Sequence, residues 1–185
     1  ISIPLTYPAS LLKGVDEGHA PTQIPQLTQR SGTTTASSGK YIPSLRGRIT
    51  KIGGKPVNEI AVPSDARWAI EGDRGVTYSA TPPEGSRIVA GEWWPADYRG
   101  PQLISFDENL ANQFGLKLGD SITVNILGRD IEAKIASLRR IEWTTLSINF
   151  VFVYSPGMLD KAPHTFLATV KSTPEGEDAI FKAVT

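Results

Sequence analysis

The sequence has no cysteine. That removes disulfide staples, thiolate metal ligands and cysteine nucleophiles together. It leaves the compartment open, because 185 residues suffice for a core that needs no staples. Histidine is nearly as scarce: His19 and His164 are the two in the chain. Neither lies in an HExxH-type spacing, and both read as loop histidines rather than zinc ligands. Charge of one sign is missing too, since Lys plus Arg and Asp plus Glu each total 19. Without a positive surplus, nucleic acid is not an expected partner. The longest unbroken apolar run is residues 150–154, far short of the roughly 20 residues of a helix that crosses a bilayer.

Catalytic motifs are equally scarce. There is no GxSxG elbow. Gly39-Lys40 and Gly54-Lys55 lack the upstream glycine and the following Ser/Thr of a phosphate loop, so no recognised nucleotide site is present. Asp107-Glu108 reads more simply as a helix cap with a first-turn charge than as an acid/base pair. The residues themselves therefore nominate no catalytic residue, no cofactor and no metal. A triad assembled from distant residues leaves no local signature and stays open.

What is present is organised around residues 102–154. Asp107, Leu110, Ala111 and Phe114 fall at i, i+3, i+4 and i+7, the apolar ones on one face of a short helix. Asp107 is its N-cap and Gly115 its left-handed stop. The period then changes to two. Ile122, Val124 and Ile126 alternate with polar residues, residues 127–130 make a turn, and Ile131, Ala133 and Ile135 alternate again. This is helix, tight turn and hairpin, followed by a strand over residues 148–154.

Residues 1–40 differ from the rest. Four prolines and the Ser/Thr/Gly tract of residues 31–39 forbid a long helix and predict a partly flexible segment, with at most a helical turn over residues 9–15. Residues 41–52 read as extended, Gly53-Gly54-Lys55 as a turn, and residues 66–70 as a strand carrying Trp68. Turns dominate residues 71–91, with a short strand through Val76 and Tyr78. Residues 165–171 predict a final strand. Pro174 and the carboxylates after it start a helix whose apolar stripe runs on to Val184. That unfinished helix, and Ile1 in place of methionine, predict a segment of a longer protein.

Two features attract attention as binding elements. Trp93-Trp94-Pro95 places two indoles side by side; on a strand one would face the core and the other solvent, where aromatics are favoured anchors. Core packing is the plainer reading. The basic clusters Arg46-Gly47-Arg48 and Arg139-Arg140 lack interleaved aromatics and read as solvated turn charges.

Several segments together resemble the extracytoplasmic domain of the FtsX/MacB-like permeases of ABC transporters, in particular the YbbP-type branch. They are Pro43-Ser44-Leu45-Arg46-Gly47-Arg48-Ile49, Asp73-Arg74-Gly75, Gly91-Glu92-Trp93-Trp94-Pro95, residues 106–120 (FDENLANQFGLKLGD), and Asn149-Phe150-Val151-Phe152-Val153 with Ser155-Pro156-Gly157. The likeness covers about residues 41–170, and residues 1–39 have no counterpart in it. It implies an α+β, MacB-like periplasmic core domain: a mixed α/β lobe near the termini and a β-rich middle lobe. The division is an N-terminal segment 1–40 and a core domain 41–185, with the β-rich subdomain over about 45–140 and the mixed lobe completed by 141–185.

The resemblance also implies a function. Such a domain lies outside the bacterial inner membrane, between the permease's membrane helices, and transmits ATP-driven motion without catalysing anything itself. The implied partners are a separate ABC ATPase subunit reached through those helices, a periplasmic esterase or other soluble protein, a second permease copy, and a hydrophobic or lipid-like substrate. Trp93, Trp94, Arg46 and Arg48 are the candidate partner-binding residues. The alternatives are a stand-alone periplasmic hydrolase or ligand-binding protein, and a structural barrel module without a ligand.

Overall fold

A computed structural model describes residues 2–8, 41–142 and 148–171. Among these residues strands predominate and helices are few. The chain divides into two compact units: residues 1–44 with 164–185, and residues 45–163.

In the terminal unit, β1 (Ser2–Pro8) pairs antiparallel with β10 (Thr165–Lys171), which pairs antiparallel with the first residues of β2 (Tyr41–Ile52). The prolines of β1 are tolerated at such a position, with a ladder on one side. The strand expected over residues 165–171 is present with the same bounds. The helical turn near residue 9, the tract 31–39 and the helix after Pro174 lie outside the described residues.

The middle unit is a closed barrel. Its further elements are β3 (Lys55–Pro56), β4 (Arg74–Tyr78), β5 (Ser86–Gly91), β6 (Leu103–Asp107), α1 (Glu108–Phe114), β7 (Ser121–Ile126), β8 (Arg129–Ile141) and β9 (Phe152–Tyr154). β2 pairs with β4 on one edge and with β7 on the other. β7 pairs with β8, β8 with β6, β6 with β9, and β9 with β4, which completes the circuit. Closure removes the free edges of an open sheet. β5 adds to the far end of β8, and β3 folds back on β2.

Closure depends on Gly47, whose backbone is in register with both Arg74 and Ile126. A Cβ there would lie 2.8 Å from Val124 and 2.9 Å from Ile126 and Val76. Inside the barrel Ile49, Val76, Ile104, Ile122, Val124 and Ile135 are buried together, with Phe106 stacked on Phe152 at 6.3 Å. The short helix is bounded as its sequence predicts. Asp107 Oδ1 accepts from the Leu110 amide at 2.9 Å, and Gly115 closes the helix at φ 68°.

Four readings change. Residues 66–70 are not a strand: Arg67–Ala69 is a 3₁₀ turn. The amides of Ala66 and Ala69 donate to the carbonyls three residues back, at 3.0 Å each, which spends the donors a ladder would need. The apolar run 148–154 yields strand pairing only over Phe152–Tyr154. β5 and β6 arise where the sequence suggests turns or nothing. Finally, β8 continues to Ile141, so Arg139-Arg140 lies on a strand and not in a turn.

Candidate partner-binding surface

Arg46 and Arg48 stand on the same face of β2 because strand side chains alternate, with Leu45, Gly47 and Ile49 turned inward between them. They line an open hollow of about 440 Å³ on the outside of the barrel, together with Thr50, Asp73, Asn125 and Leu127. Arg48 Nε donates to Asp73 Oδ1 at 3.2 Å, and Arg46 Nη2 donates to the Asp73 backbone carbonyl at 3.2 Å. The Arg48 and Asp73 side chains are 59% and 49% exposed, so this pair contributes at most about 1 kcal/mol. Asn125 Nδ2 donates to Asp130 Oδ1 at 2.7 Å across the β7–β8 hairpin.

Leu127 forms the rim at the tip of that hairpin. The two-residue loop between Ile126 and Arg129 has Leu127 at φ 51° and Gly128 at φ 81°, the positive values a type I′ turn demands. Gly128 accepts this freely, but a leucine in the left-handed region costs about 1 kcal/mol. Leu127 is nonetheless 59% exposed.

The tryptophan pair sits elsewhere: the lining of the hollow includes both arginines and neither indole. Residues 92–95 make no strand, so the expected division of the two rings between opposite faces does not arise. The rings pack on each other, with centroids 4.1 Å apart and planes tilted by 33°. Trp94 is buried and its indole N–H donates to the Ser79 carbonyl at 2.8 Å; the half-buried Trp93 donates to the Ala80 carbonyl at 3.0 Å. Both polar handles therefore fasten residues 93–94 to the end of β4.

Arg139, which the sequence suggests is a solvated charge, is instead fully buried. Its Nε donates to Ser105 Oγ at 3.0 Å, and its Nη2 donates to the Phe150 carbonyl at 2.9 Å. Ser137 Oγ donates to Ser105 Oγ at 2.7 Å beside it. Burial lowers the Arg139 pKa to about 10, opposed by the negative charge of Asp107. Burial likewise raises the Asp107 pKa, against the backbone amides of Leu110 and Asn109 and the Arg139 charge. Asp107 Oδ2 is buried and has no hydrogen-bond partner among the described residues. A signal was available: Ile131, Ala133, Ile135, Ser137, Arg139 and Ile141 keep the inward period of two along all of β8.

A second hollow of about 420 Å³ lies between α1 and the 3₁₀ turn, with Trp68, Asp65, Asp107 and Gln113 in its lining. Gln113 Nε2 donates to Asp65 Oδ2 at 2.7 Å, and the Arg74 guanidinium lies over the Trp68 ring at 5.3 Å. In the terminal unit, His164 sits edge-on to Phe166 at 4.9 Å. Among the described residues no three His, Cys, Asp or Glu side chains gather as a metal site, and no helix is long and apolar enough to cross a membrane.

No protein-family model matches the chain. Over 131 residues, however, it is 32% identical to a membrane transporter component, and the chain is homologous to a segment of an ABC transporter permease. The relative is YbbP of Escherichia coli (strain K12), itself named an uncharacterized ABC transporter permease. The match takes in 71% of this chain and 15% of YbbP, so the chain spans a small part of its relative's length. A crystal structure of a domain from a Porphyromonas gingivalis protein, provisionally named a permease, covers 98% of this chain at 11% identity and a TM-score of 0.39, with 81% of that domain matched.

Proposed function

We propose that this chain is a non-enzymatic, extracytoplasmic part of an ABC transporter permease that transmits ATP-driven motion and engages a partner protein or a hydrophobic, lipid-like substrate. The observation that carries the reading is the 32% identity to YbbP over 131 residues. Two properties of the chain support it. The sequence has no phosphate loop, which suits a division of labour in which a separate ABC ATPase subunit hydrolyses the nucleotide. The closed barrel offers a body with charged and apolar groups on its outer rim, suited to moving as a unit and meeting something else. An α+β domain with a mixed α/β lobe near the termini and a β-rich middle lobe, the periplasmic side of the inner membrane and pairing with a second permease copy are parts of the same proposal. A soluble periplasmic protein such as an esterase is the partner class it favours.

The test is purification of the full-length permease from membranes, with mass spectrometric identification of what accompanies it. An ABC ATPase recovered in fixed ratio, with ATP hydrolysis in the complex and none in the 185-residue chain, is the expected result. Ester or amide hydrolysis by the isolated chain, or a full-length protein that brings no ATPase, would refute it. The tryptophans sharpen this test. Trp93→Ala or Trp94→Ala is expected to impair partner binding or coupling while ATP hydrolysis persists; if both variants simply lose their thermal transition, the pair is ordinary core.

A further inference from the structure

The Asp73 carboxylate sits on Arg48 as a foreign carboxylate would, and the Asp73 main chain occupies Arg46. Its Oδ1 accepts from Arg48 Nε at 3.2 Å and its backbone oxygen accepts from Arg46 Nη2 at 3.2 Å. The two terminal guanidinium nitrogens of Arg48 make no hydrogen bond among the described residues. A half-exposed ion pair exchanges partners at little cost, and an arginine fork is shaped to accept both oxygens of a carboxylate.

Beside this pair, Leu127 is held in left-handed backbone where Asn, Asp or Gly fits better, with 59% of its surface exposed. A residue kept against both backbone preference and water points to use in a contact. Charge and apolar surface therefore meet on the rim of one hollow of about 440 Å³.

We propose that this rim docks a segment of a partner protein carrying an acidic residue next to an apolar one. The acidic side chain displaces Asp73 from Arg46 and Arg48, and the apolar one covers Leu127. Asp73 is thus a built-in competitor that keeps the site weak until a better-placed carboxylate arrives. An anionic membrane surface fits less well: the rim offers two arginines accompanied by Asp73 and Asp130, whereas lipid-binding patches gather about 4–8 basic residues. This inference rests on reading the chain as a partner-engaging module.

The test pans a library of random linear peptides on the immobilised 185-residue chain; fluorescence anisotropy then measures binding of the peptides recovered. Enriched peptides should carry Asp or Glu beside an apolar residue and lose binding when that acid becomes its amide. Arg46→Glu with Arg48→Glu should weaken them at least about 30-fold, the scale for reversing a docked charge pair. The milder Arg46→Gln with Arg48→Gln should act in the same direction, with an unchanged thermal melt as control. Leu127→Asn should weaken them about tenfold by removing an apolar contact, and Asp73→Asn should tighten them about threefold by removing the competitor.

Several results overturn the proposal: no enrichment, enrichment of peptides without an acid, weaker binding to Asp73→Asn, or sedimentation with phosphatidylglycerol vesicles in place of peptide binding. Failure here leaves the permease reading standing, since the membrane purification tests that alone. Peptide binding with no ATPase recovered would do the reverse.

Discussion

Two arginine sites in the same barrel behave as opposites. Arg139 is fully buried, donates to Ser105 and to the Phe150 carbonyl, and carries a charge that burial disfavours. Arg46 and Arg48 face solvent and share Asp73 at 3.2 Å. The inner arginine cannot let go, because releasing any partner strands a polar group out of water. The outer pair can, because water replaces whatever leaves. One residue type thus serves as a rivet inside and as an exchangeable contact outside, and the difference is set by burial alone.

The strongest way to break this comparison is Arg139→Ala, which takes a donor from Ser105 Oγ and from the buried Phe150 carbonyl and removes the positive charge beside Asp107. A loss of about 3–5 kcal/mol is expected in urea unfolding. Arg139→Lys should recover little, since a single ammonium cannot reproduce the fork. If Arg139→Ala melts like the native protein, the rivet is a fiction. Next comes the tryptophan pair. Trp94→Ala should cost about 3 kcal/mol as a buried aromatic, and Trp93→Ala about 1 kcal/mol, near the worth of its one hydrogen bond. Equal costs would mean that the two rings act as one unit.

A subtler effect concerns Asp107. Its folded carboxyl holds a proton to higher pH than the ordinary value of 3.8. Between that value and the raised one, the folded state binds more protons than the unfolded chain. Stability from this group is therefore full below 3.8 and is lost as pH rises through the raised value. Asp107→Asn keeps a competent cap and removes the slope, so native minus variant stability should decline with pH across this range. An opposite slope would mean that the Arg139 charge outweighs desolvation. The smallest effects belong to the rim: Arg48→Ala should change stability by less than about 0.5 kcal/mol. Leu127→Asn should add about 0.5–1 kcal/mol by giving the turn its preferred Asn-Gly. Gained stability with lost peptide binding would separate folding from function at one residue.

How much of this was legible depends on whether the signal is local. The Asp107 cap, the Gly115 stop, the β7–β8 hairpin and β10 each write their own pattern into consecutive residues. β6 does not: Ile104, Ser105, Phe106 and Asp107 are all buried, so no alternation marks it as a strand. Residues 66–70 carried strand-forming side chains but spend their amides on a local 3₁₀ turn. Arg139 was hidden by its charge, which suggests solvent even where the period of two points inward. The meeting of Arg46, Arg48, Asp73 and Leu127 lies in no stretch of sequence. It exists because Gly47 lets β2 join β4 to β7, bringing residues 46–48, 73 and 127 to one rim.

The most direct measurement is hydrogen exchange on the full-length permease with its ATPase, compared between ADP and ATP with vanadate. A stiff barrel that carries motion to an exchangeable rim predicts unchanged protection through the paired residues 47–49 and 131–139 and altered protection at residues 71–73 and 127–128. Loosening of the barrel interior with ATP, or exchange indifferent to nucleotide throughout residues 45–163, would contradict it.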